Sequence, residues 1–302
     1  MVDSPNVHLL PAPEHELKVL GRTAPGAGRD QVIAHLQAAA REVRRRDVQL
    51  VAAAKMGHLG GEFSITDVLV TLYCHVMNVA PGREHDPERD RFILSKGHTA
   101  AALYCTLAVA GFMPPEQLRT FVQGGSKLSG HPDRRKLAAV EANTGPLGHG
   151  LPIAVGEALG ARLAGSARRV YVVLGDGEMQ EGSNWEAIMC AGHQKLAALT
   201  AVVDANGLQQ GARVAETNAV EPLATRFEAF GWRAVEVPGN DIGALLDVFT
   251  AGPDPAGRPT AVIARTVKGF PLSFASDQVA WHHKIPDAAQ VALALQELEA
   301  VA

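Results

Sequence analysis

The sequence predicts an α/β protein with a mainly parallel sheet and helices on both of its faces. Four short apolar segments have the length of strands, at 171–174, 199–203, 233–237 and 261–266. They alternate with segments of helical periodicity, which is the pattern of parallel sheets covered on both sides. Hydrophobic residues make up 47% of the 302 residues, sufficient for one large core.

The elements follow in order along the chain. The first residues are rich in Pro, Gly and Ala without sustained periodicity, so we expect a flexible N-terminal arm (1–29) and then a single domain (30–302). We take Asp30 as the cap of the first helix, and Ser64 with Asp67 as a box capping the second. A helix-like stretch joins the first two strands, and a loop (208–214) follows the second. The apolar spacing predicts further helices at 30–55, 64–76, 99–111, 222–230 and 242–250.

Charge and composition exclude several classes of protein. The formal net charge of −4 gives no electrostatic case for binding nucleic acid. No signal-like segment begins the chain and no uncharged apolar run approaches eighteen residues, so we expect neither secretion nor a membrane span. The densest basic stretch is interpreted as the polar face of a helix, with a phosphate or partner contact as the alternative. It comprises Arg41, Arg44, Arg45 and Arg46.

The cysteines indicate a reducing compartment. They are odd in number, widely spaced and set among apolar neighbours: Cys74, Cys105 and Cys190. This pattern favours buried free thiols over a disulfide framework or a zinc site, and therefore a cytoplasmic protein.

Polar residues end the first two predicted strands. Strand 171–174 runs into Gly175-Asp176-Gly177, and strand 199–203 leads to Asn206. Because parallel strands end at the same edge of a sheet, the carboxylate and the amide can meet there, where open α/β sheets bind ligands. Their oxygens suit Mg²⁺ or Ca²⁺, and the glycines allow backbone to approach a bulky anion. We therefore predict a metal-bridged diphosphate; the alternative is that Asp176 caps a helix and Asn206 lies in a turn.

This arrangement resembles the thiamine diphosphate signature, and the chain from about 51 to 286 resembles the N-terminal half of transketolase. Five further segments resemble transketolase motifs and follow in the same order: GHLGG (57–61), DRFILSKGH (90–98), GHP (130–132), TGPLGHG (144–150) and WHHKIP (281–286). The resemblance implies that 30–302 is a thiamine diphosphate-binding domain, the one that holds the diphosphate.

The resemblance also implies the roles of residues around this cofactor. Mg²⁺ (or Ca²⁺) would be held by Asp176, Asn206 and the main-chain carbonyl of Leu208. Cofactor contacts are implied for Gly145 and Leu147 from the TGPLG loop and for the N–H of Gly177. Glu181 and Glu186 match an acidic network that couples two cofactors across a dimer interface, and a solvated helix face is the competing interpretation. The list of implied cofactor residues is Gly145, Leu147, Asp176, Gly177, Glu181, Glu186 and Asn206.

Four histidines fall within the transketolase-like motifs: His58, His98, His131 and His282. Their counterparts line the substrate channel, where imidazole donates and accepts hydrogen bonds and exchanges protons near neutral pH. His283 is adjacent to His282, and either residue could correspond to the histidine of the family's motif. The offset to Pro286 favours His282. In the family, a small residue follows this histidine. The flanking motifs favour channel roles over a zinc site made only of histidines.

A complete transketolase is considerably longer and carries further domains. We therefore expect the N-terminal subunit of a split transketolase, active only with a separately encoded C-terminal subunit, with two copies of each chain. The expected reaction transfers a two-carbon ketol unit from a ketose phosphate to an aldose acceptor. Two alternatives remain open: the α subunit of a thiamine diphosphate-dependent 2-oxo acid dehydrogenase, or a non-catalytic dinucleotide-binding protein. The dinucleotide-binding alternative is weakened because Gly175-Asp176-Gly177 lacks the third glycine of the dinucleotide-binding fingerprint at the expected place.

Three residues depart from the transketolase pattern. Leu59 stands where relatives usually have Pro, and His149 where they often have Gln. Glu62 replaces a small or aliphatic residue, and we hypothesise that it lies near the cofactor entrance and affects which substrates are admitted.

Overall fold

One five-stranded parallel sheet organises the chain. The computed structural model describes residues 8–13 and 16–300. The strands lie in the order β1-β2-β3-β5-β4 and all neighbours are parallel. They are β1 (Arg91–Leu94), β2 (Val170–Gly175), β3 (Leu199–Asp204), β4 (Arg233–Pro238) and β5 (Thr260–Arg265). The predicted fold class is confirmed.

Helices cover both faces of this sheet. They are α1 (Arg29–Ala54), α2 (Leu59–Thr71), α3 (Ala100–Val109), α4 (Gly150–Leu163), α5 (Gly182–His193), α6 (Val214–Thr217), α7 (Leu223–Ala229), α8 (Ile242–Thr250) and α9 (Ala288–Ala300). In the described part of the chain, no helix has both the length and the apolarity needed to cross a bilayer.

Alternate residues of β2 face two apolar clusters, because successive side chains of a strand point to opposite faces. Tyr171 and Val173 pack with residues of α1, α2, α3, α8 and α9. Val170 and Val172 pack with residues of α4, α5 and α7. All four β2 side chains are fully buried, so the strand reads as one continuous apolar run, as expected for a sheet covered on both sides.

The predicted strands and the helix at 242–250 agree closely with the structure, but two helix starts differ. The N-cap of α1 is Gly28, and Asp30 lies in its first turn. The capping box at Ser64 and Asp67 is wrong, because α2 already begins at Leu59. Ser64 and Asp67 are buried inside α2, and each bonds a side chain from another part of the fold. The side chains of Ser64 and Asp67, which suggested a cap, form tertiary hydrogen bonds instead.

The described part of the predicted arm packs against the domain. Residues 8–13 and 16–28 form no helix or strand, yet Leu10 and Leu17 are buried. The N–H of Leu10 donates to the carbonyl of Arg119 at 2.7 Å. The rest of the predicted arm lies outside the described residues, and the division into arm and domain stays a prediction.

The basic stretch of α1 is not simply a polar face. Arg44 is buried and forms a two-pronged ion pair with Asp67 of α2, at 2.7 and 2.9 Å. Arg46 is buried too. The interpretation as an exposed face is therefore wrong for these two residues, because other helices pack against α1. One of them, α2, supplies the carboxylate that pairs with Arg44.

The cysteines are all free thiols. Cys74 and Cys105 are buried, as expected, and Cys190 is partly exposed. The compartment that they suggested stays a prediction.

We predict that Gly192→Ala destabilises the fold by about 1–3 kcal/mol, the usual cost of overpacking a core. A Cβ at Gly192 in α5 would lie 1.8 Å from the carbonyl oxygen of Phe230, so backbone must move to admit it. Urea unfolding followed by circular dichroism measures the loss.

The matched control is Gly156→Ala in α4, where nothing lies within 4 Å of the added methyl group. Removal of a glycine from an exposed helix position stabilises by about 1 kcal/mol. If the two variants unfolded at the same urea concentration, close packing of α5 on Phe230 would be excluded as a source of stability.

Candidate active site

The candidate site lies where β2 and β3 end. Gly175 pairs with Asp204 in the sheet register, so the two strands finish at the same level. Asp176 follows directly, and its carboxylate accepts the N–H of Gly177 at 2.8 Å and the N–H of Gly207 at 2.6 Å. The parallel sheet thus brings the Asp176 carboxylate to the Asn206 turn, as the sequence predicted.

The loop after β3 presents oxygen atoms on the same edge. The side-chain oxygen of Asn206 accepts the N–H of Leu208 at 3.0 Å, which fixes a tight turn. The carbonyl of Leu208 accepts from the Nζ of Lys268 at 3.3 Å. One carboxylate, one amide oxygen and one main-chain carbonyl make a set of hard oxygen donors suited to Mg²⁺ or Ca²⁺.

The electrostatics of Asp176 also suit a cation. Burial raises the pKa of Asp176 to about 6, and repulsion from Asp204 adds to the effect. A divalent ion at this carboxylate would counter both influences. The residues present therefore fit the predicted metal-bridged diphosphate.

A cavity of about 380 Å³ opens beside these oxygens. Gly177 and Asp176 line one side, and Gly145 and Leu147 of the TGPLG loop line another. Gly148 in that loop has a φ of +82°, and a Cβ there would lie 2.6 Å from the Cβ of Glu181. The loop therefore needs glycine to turn and to pack beside the cavity.

Three of the four predicted histidines meet at the rim of this cavity. The ring centres of His58, His98 and His282 lie 4.9 to 5.4 Å apart. His283 joins them, 4.4 Å from His58 and 4.8 Å from His282. His131 does not line the cavity; it lies behind Gly145, where an added Cβ would come within 3.4 Å of its ring.

His58, His98 and His282 are uncharged at neutral pH. Burial lowers the pKa of His58 to about 4, and His283 adds to the shift. Burial, followed by the charge of Lys268, lowers the pKa of His282 to about 3. The pKa of His98 also lies well below its usual value, because it is buried beside Lys96. As neutral rings these histidines donate and accept hydrogen bonds.

A buried ion pair behind the cavity was not predicted. Lys96, from the SKGH segment, pairs with Asp204 at the end of β3, and both side chains are at most 3% exposed. Asp204 also accepts from Ser64 of α2 at 2.6 Å, from Thr266 beyond β5, and from the amide of Asn206 at 3.0 Å. Burial would raise the pKa of Asp204, but the Lys96 ammonium holds it below its usual value.

Glu178 is a second buried carboxylate that sequence reasoning missed. Its oxygens accept from the hydroxyl of Ser95 and from the N–H groups of Gly148 and Gly175, the latter two at 3.0 Å. Burial raises the pKa of Glu178, against the effect of these bonds. Glu178 thus ties the end of β1, the TGPLG loop and the end of β2 into one unit.

Lys268 was also missed by sequence reasoning. Its Nζ lies 2.9 Å from Nδ1 of His282 and also reaches the Leu208 carbonyl. Burial lowers the pKa of Lys268 to about 8, with the charge of Lys96 contributing. The available signal was a charged residue shortly after the predicted apolar strand 261–266, the same kind of signal that identified Asp176.

Glu181 and Glu186 occupy different positions. Both are exposed, and only Glu181 lines the cavity. Glu186 projects from α5.

Two of the departures from the motif pattern lie away from the cavity. Glu62 is fully buried in α2 and is not among the residues that line the cavity, so its proposed position at the entrance is wrong. Burial raises the pKa of Glu62 to about 8. Leu59 is the buried first residue of α2. His149 is exposed at the start of α4, and its Nδ1 lies 3.1 Å from the Leu147 carbonyl.

A larger groove of about 690 Å³ runs between α1 and α8. Arg29 and Arg41 line it together with Asp241 and Asp247. It lies away from the strand ends, and we assign the site to the smaller cavity because the oxygen donors and the histidines converge there.

Comparisons with known proteins agree with this geometry. The family described as "Transketolase, thiamine diphosphate binding domain" matches residues 35–299. An apulose-4-phosphate transketolase subunit from Actinobacillus succinogenes is 44% identical over 265 residues, which cover 87% of this chain and 96% of that relative. The 6-deoxy-6-sulfo-D-fructose transketolase subunit SqwG of Clostridium sp. (strain MSTE9) is 36% identical over 248 residues, 82% of this chain and 90% of that relative.

Solved structures share the fold. A transketolase from Pichia stipitis, crystallised with sedoheptulose 7-phosphate, superposes with a TM-score of 0.82 at 32% identity. The match covers 87% of this chain and 40% of the Pichia chain. This chain therefore spans less than half of that structure.

We predict that Glu178→Gln destabilises the protein by about 1.5–3 kcal/mol, the range for hydrogen bonds to a charged group. The carboxylate accepts hydrogen bonds from three donors. In the Gln variant an NH₂ group replaces one of the two oxygens, so at least one of these donors would point at another donor and lose its hydrogen bond. Thermal unfolding measures the change.

Glu186→Gln is the control for Glu178→Gln, because Glu186 is exposed on α5 and its change should alter stability by less than about 0.5 kcal/mol. Equal unfolding temperatures for the two variants would show that Glu178 does not hold the three segments together.

Proposed function

Because the chain belongs to the transketolase family through its thiamine diphosphate-binding domain, we propose that it is the diphosphate-binding subunit of a two-chain transketolase. The proposed reaction moves a two-carbon ketol unit from a ketose phosphate to an aldose acceptor. The observation that carries the proposal is the set of oxygen donors on Asp176, Asn206 and Leu208 beside a cavity rimmed by neutral histidines.

Each part of the cavity has a task in this proposal. Asp176, Asn206 and the Leu208 carbonyl would hold Mg²⁺, with Ca²⁺ as a substitute, and the N–H of Gly177 would face the diphosphate. Gly145 and Leu147 would contact the cofactor from the opposite loop. When bound, thiamine diphosphate supplies the electron sink needed to break and form a carbon–carbon bond beside a carbonyl.

The histidines would handle the sugar. His58, His98 and His282 are uncharged, so they can accept a hydroxyl proton or donate to a sugar oxygen without bringing a fixed charge into the channel. The Lys268 ammonium donates to Nδ1 of His282, which leaves the proton of that ring on Nε2. His131 lies behind Gly145 and would support the TGPLG loop rather than contact the sugar directly.

The names of two relatives support a partner chain. The Actinobacillus and Clostridium proteins are called transketolase subunits, and this chain aligns with 96% and 90% of their lengths. We propose a separately encoded partner that resembles the C-terminal half of transketolase, an assembly with two copies of each chain, and a location in the cytoplasm. In that assembly Glu181 and Glu186 would join an acidic network between the two sites.

The alternatives are less well supported. Similarity to transketolases covers 87% of the chain, which disfavours the α subunit of a 2-oxo acid dehydrogenase. A dinucleotide site is disfavoured because the turn after β2 continues with Glu178, whose buried carboxylate holds that turn in place.

We predict that Asp176→Asn weakens Mg²⁺-dependent binding of thiamine diphosphate to the assembled enzyme by about 100-fold, or about 2.7 kcal/mol. The change keeps the size of the side chain and removes the only anionic donor among the three proposed ligands. Calorimetry with and without Mg²⁺ measures the affinity.

The control for Asp176→Asn is Asp247→Asn, which removes an exposed carboxylate of α8 that pairs with Arg29 at 2.9 Å. Its cofactor affinity should equal that of the unchanged protein. Tight, Mg²⁺-dependent binding retained by Asp176→Asn would refute the metal assignment.

We further predict that the chain and its partner together, but neither alone, convert xylulose 5-phosphate and ribose 5-phosphate, or apulose 4-phosphate with an aldose acceptor, into transketolase products. Product analysis by mass spectrometry detects the transferred two-carbon unit. Turnover of pyruvate with a redox dye instead would favour the dehydrogenase alternative, and binding of NAD without thiamine diphosphate would favour a dinucleotide protein.

A further inference from the structure

Three imidazoles converge at the rim of the cavity in a way that channel roles do not require. The ligand nitrogens of His58, His282 and His283 all lie within 4.8 Å of one another. We propose that these residues, the histidine triad, form a binding site for Zn²⁺ that is separate from the oxygen site at Asp176.

The spacing of the triad is close to that of a tetrahedral zinc site. Zn–N bonds of about 2.0–2.1 Å place neighbouring ligand nitrogens about 3.3 Å apart. The ligand nitrogens of the triad are at most 4.8 Å apart. Each distance between two of these nitrogens must therefore shorten by about 1.5 Å at most for zinc to bind. His283 is exposed, so its side chain can rotate toward the other two rings. The ring centres of His58 and His282 are the widest pair, at 5.3 Å, and these partly buried side chains must also move closer.

The chemistry of the donors separates this site from the neighbouring one. Neutral imidazole suits zinc and other late transition metals, whereas carboxylate, amide and carbonyl oxygens suit magnesium and calcium. The two sites therefore select different ions from the same solution. An excess of Mg²⁺ fills the oxygen site without competing for the triad.

His283 is the residue that creates the site. Transketolase-like motifs place a small residue after the histidine that matches His282, and this chain has a second imidazole there. Lys268 contacts Nδ1 of His282, so the ion binds Nε2 and one proton leaves the Lys268–His282 pair. The buried ammonium groups of Lys96 and Lys268 repel a dication and moderate its affinity.

Three protein ligands leave a fourth position for water or a sugar hydroxyl. Zinc in the triad occupies one ring nitrogen each of His58 and His282, two residues that line the cavity, so it closes the channel reversibly. This consequence, unlike metal binding itself, rests on the proposed function.

Cobalt(II) tests the site through its spectrum, because tetrahedral and octahedral Co²⁺ differ strongly in visible absorption. The 302-residue chain is titrated with CoCl₂ in excess MgCl₂, with no cofactor or substrate present. We expect intense tetrahedral bands that ZnCl₂ abolishes stoichiometrically. His283→Gly removes a direct ligand and should weaken Co²⁺ binding by about 100-fold. Removal of a residue that only orients a metal ligand already lowers metal affinity by up to about that factor.

Two further variants complete the design. His85→Ala removes an exposed histidine of the loop before β1, at the amino edge of the sheet, and should leave the bands unchanged. Asp176→Asn should also leave them unchanged, since it affects only the oxygen site. Weak octahedral absorption, or equal Co²⁺ affinity in folded His283→Gly and unchanged protein, would overturn the proposal while leaving the proposed transketolase function intact.

Discussion

The buried ion pair between Lys96 and Asp204 is the interaction on which the rest of the site depends. Two full charges are removed from water there, which is tolerable only when each is well paired and hydrogen bonded. Asp204 therefore gathers donors from α2, from the loop after β1 and from the end of β5. Loss of either partner would leave the other charged and buried, a more costly state than a neutral core.

This pair explains why the candidate metal ligands are so well placed. The Asp204 carboxylate also accepts from the amide of Asn206, so the charge that closes the back of the site orients a residue at its front. Glu178 does the same on the other side, where it anchors the TGPLG loop through Gly148. The buried carboxylates of Asp204 and Glu178 thus stabilise the walls of the cavity through hydrogen bonds. They fix the position of Asn206 and of the TGPLG loop, which are proposed to contact the ligand.

Much of the fold was predictable because the sheet is buried on both faces. β2, β3 and β5 are apolar runs bounded by turn residues, and their strand character follows from sequence alone. β1, with only four residues, and the small, glycine-containing α4 gave weaker local signals and were not assigned. The false start of α2 has a different cause: Ser64 and Asp67 bond groups far away in sequence, which no local pattern encodes.

The site was predictable to the extent that strand ends reveal it. Asp176 and Asn206 follow apolar strands, and the parallel register alone brings them to one edge. Motif resemblance added the histidines, and the structure brings His58, His98 and His282 together. Glu178 and Lys268 were missed because their importance lies in what they bond across the fold.

The cavity wall is drawn from distant parts of the chain, from His58 near its beginning to His283 near its end. Proteins emerge from the ribosome amino end first, and domains fold as units once their residues are available. A nascent chain that has passed β3 already holds Asp176 and Asn206, yet it still lacks Lys268 and the histidines beyond it. The whole cavity wall therefore exists only after residue 283 has been translated, and a nascent chain that stops short of it holds the candidate metal ligands without the complete set of rim histidines.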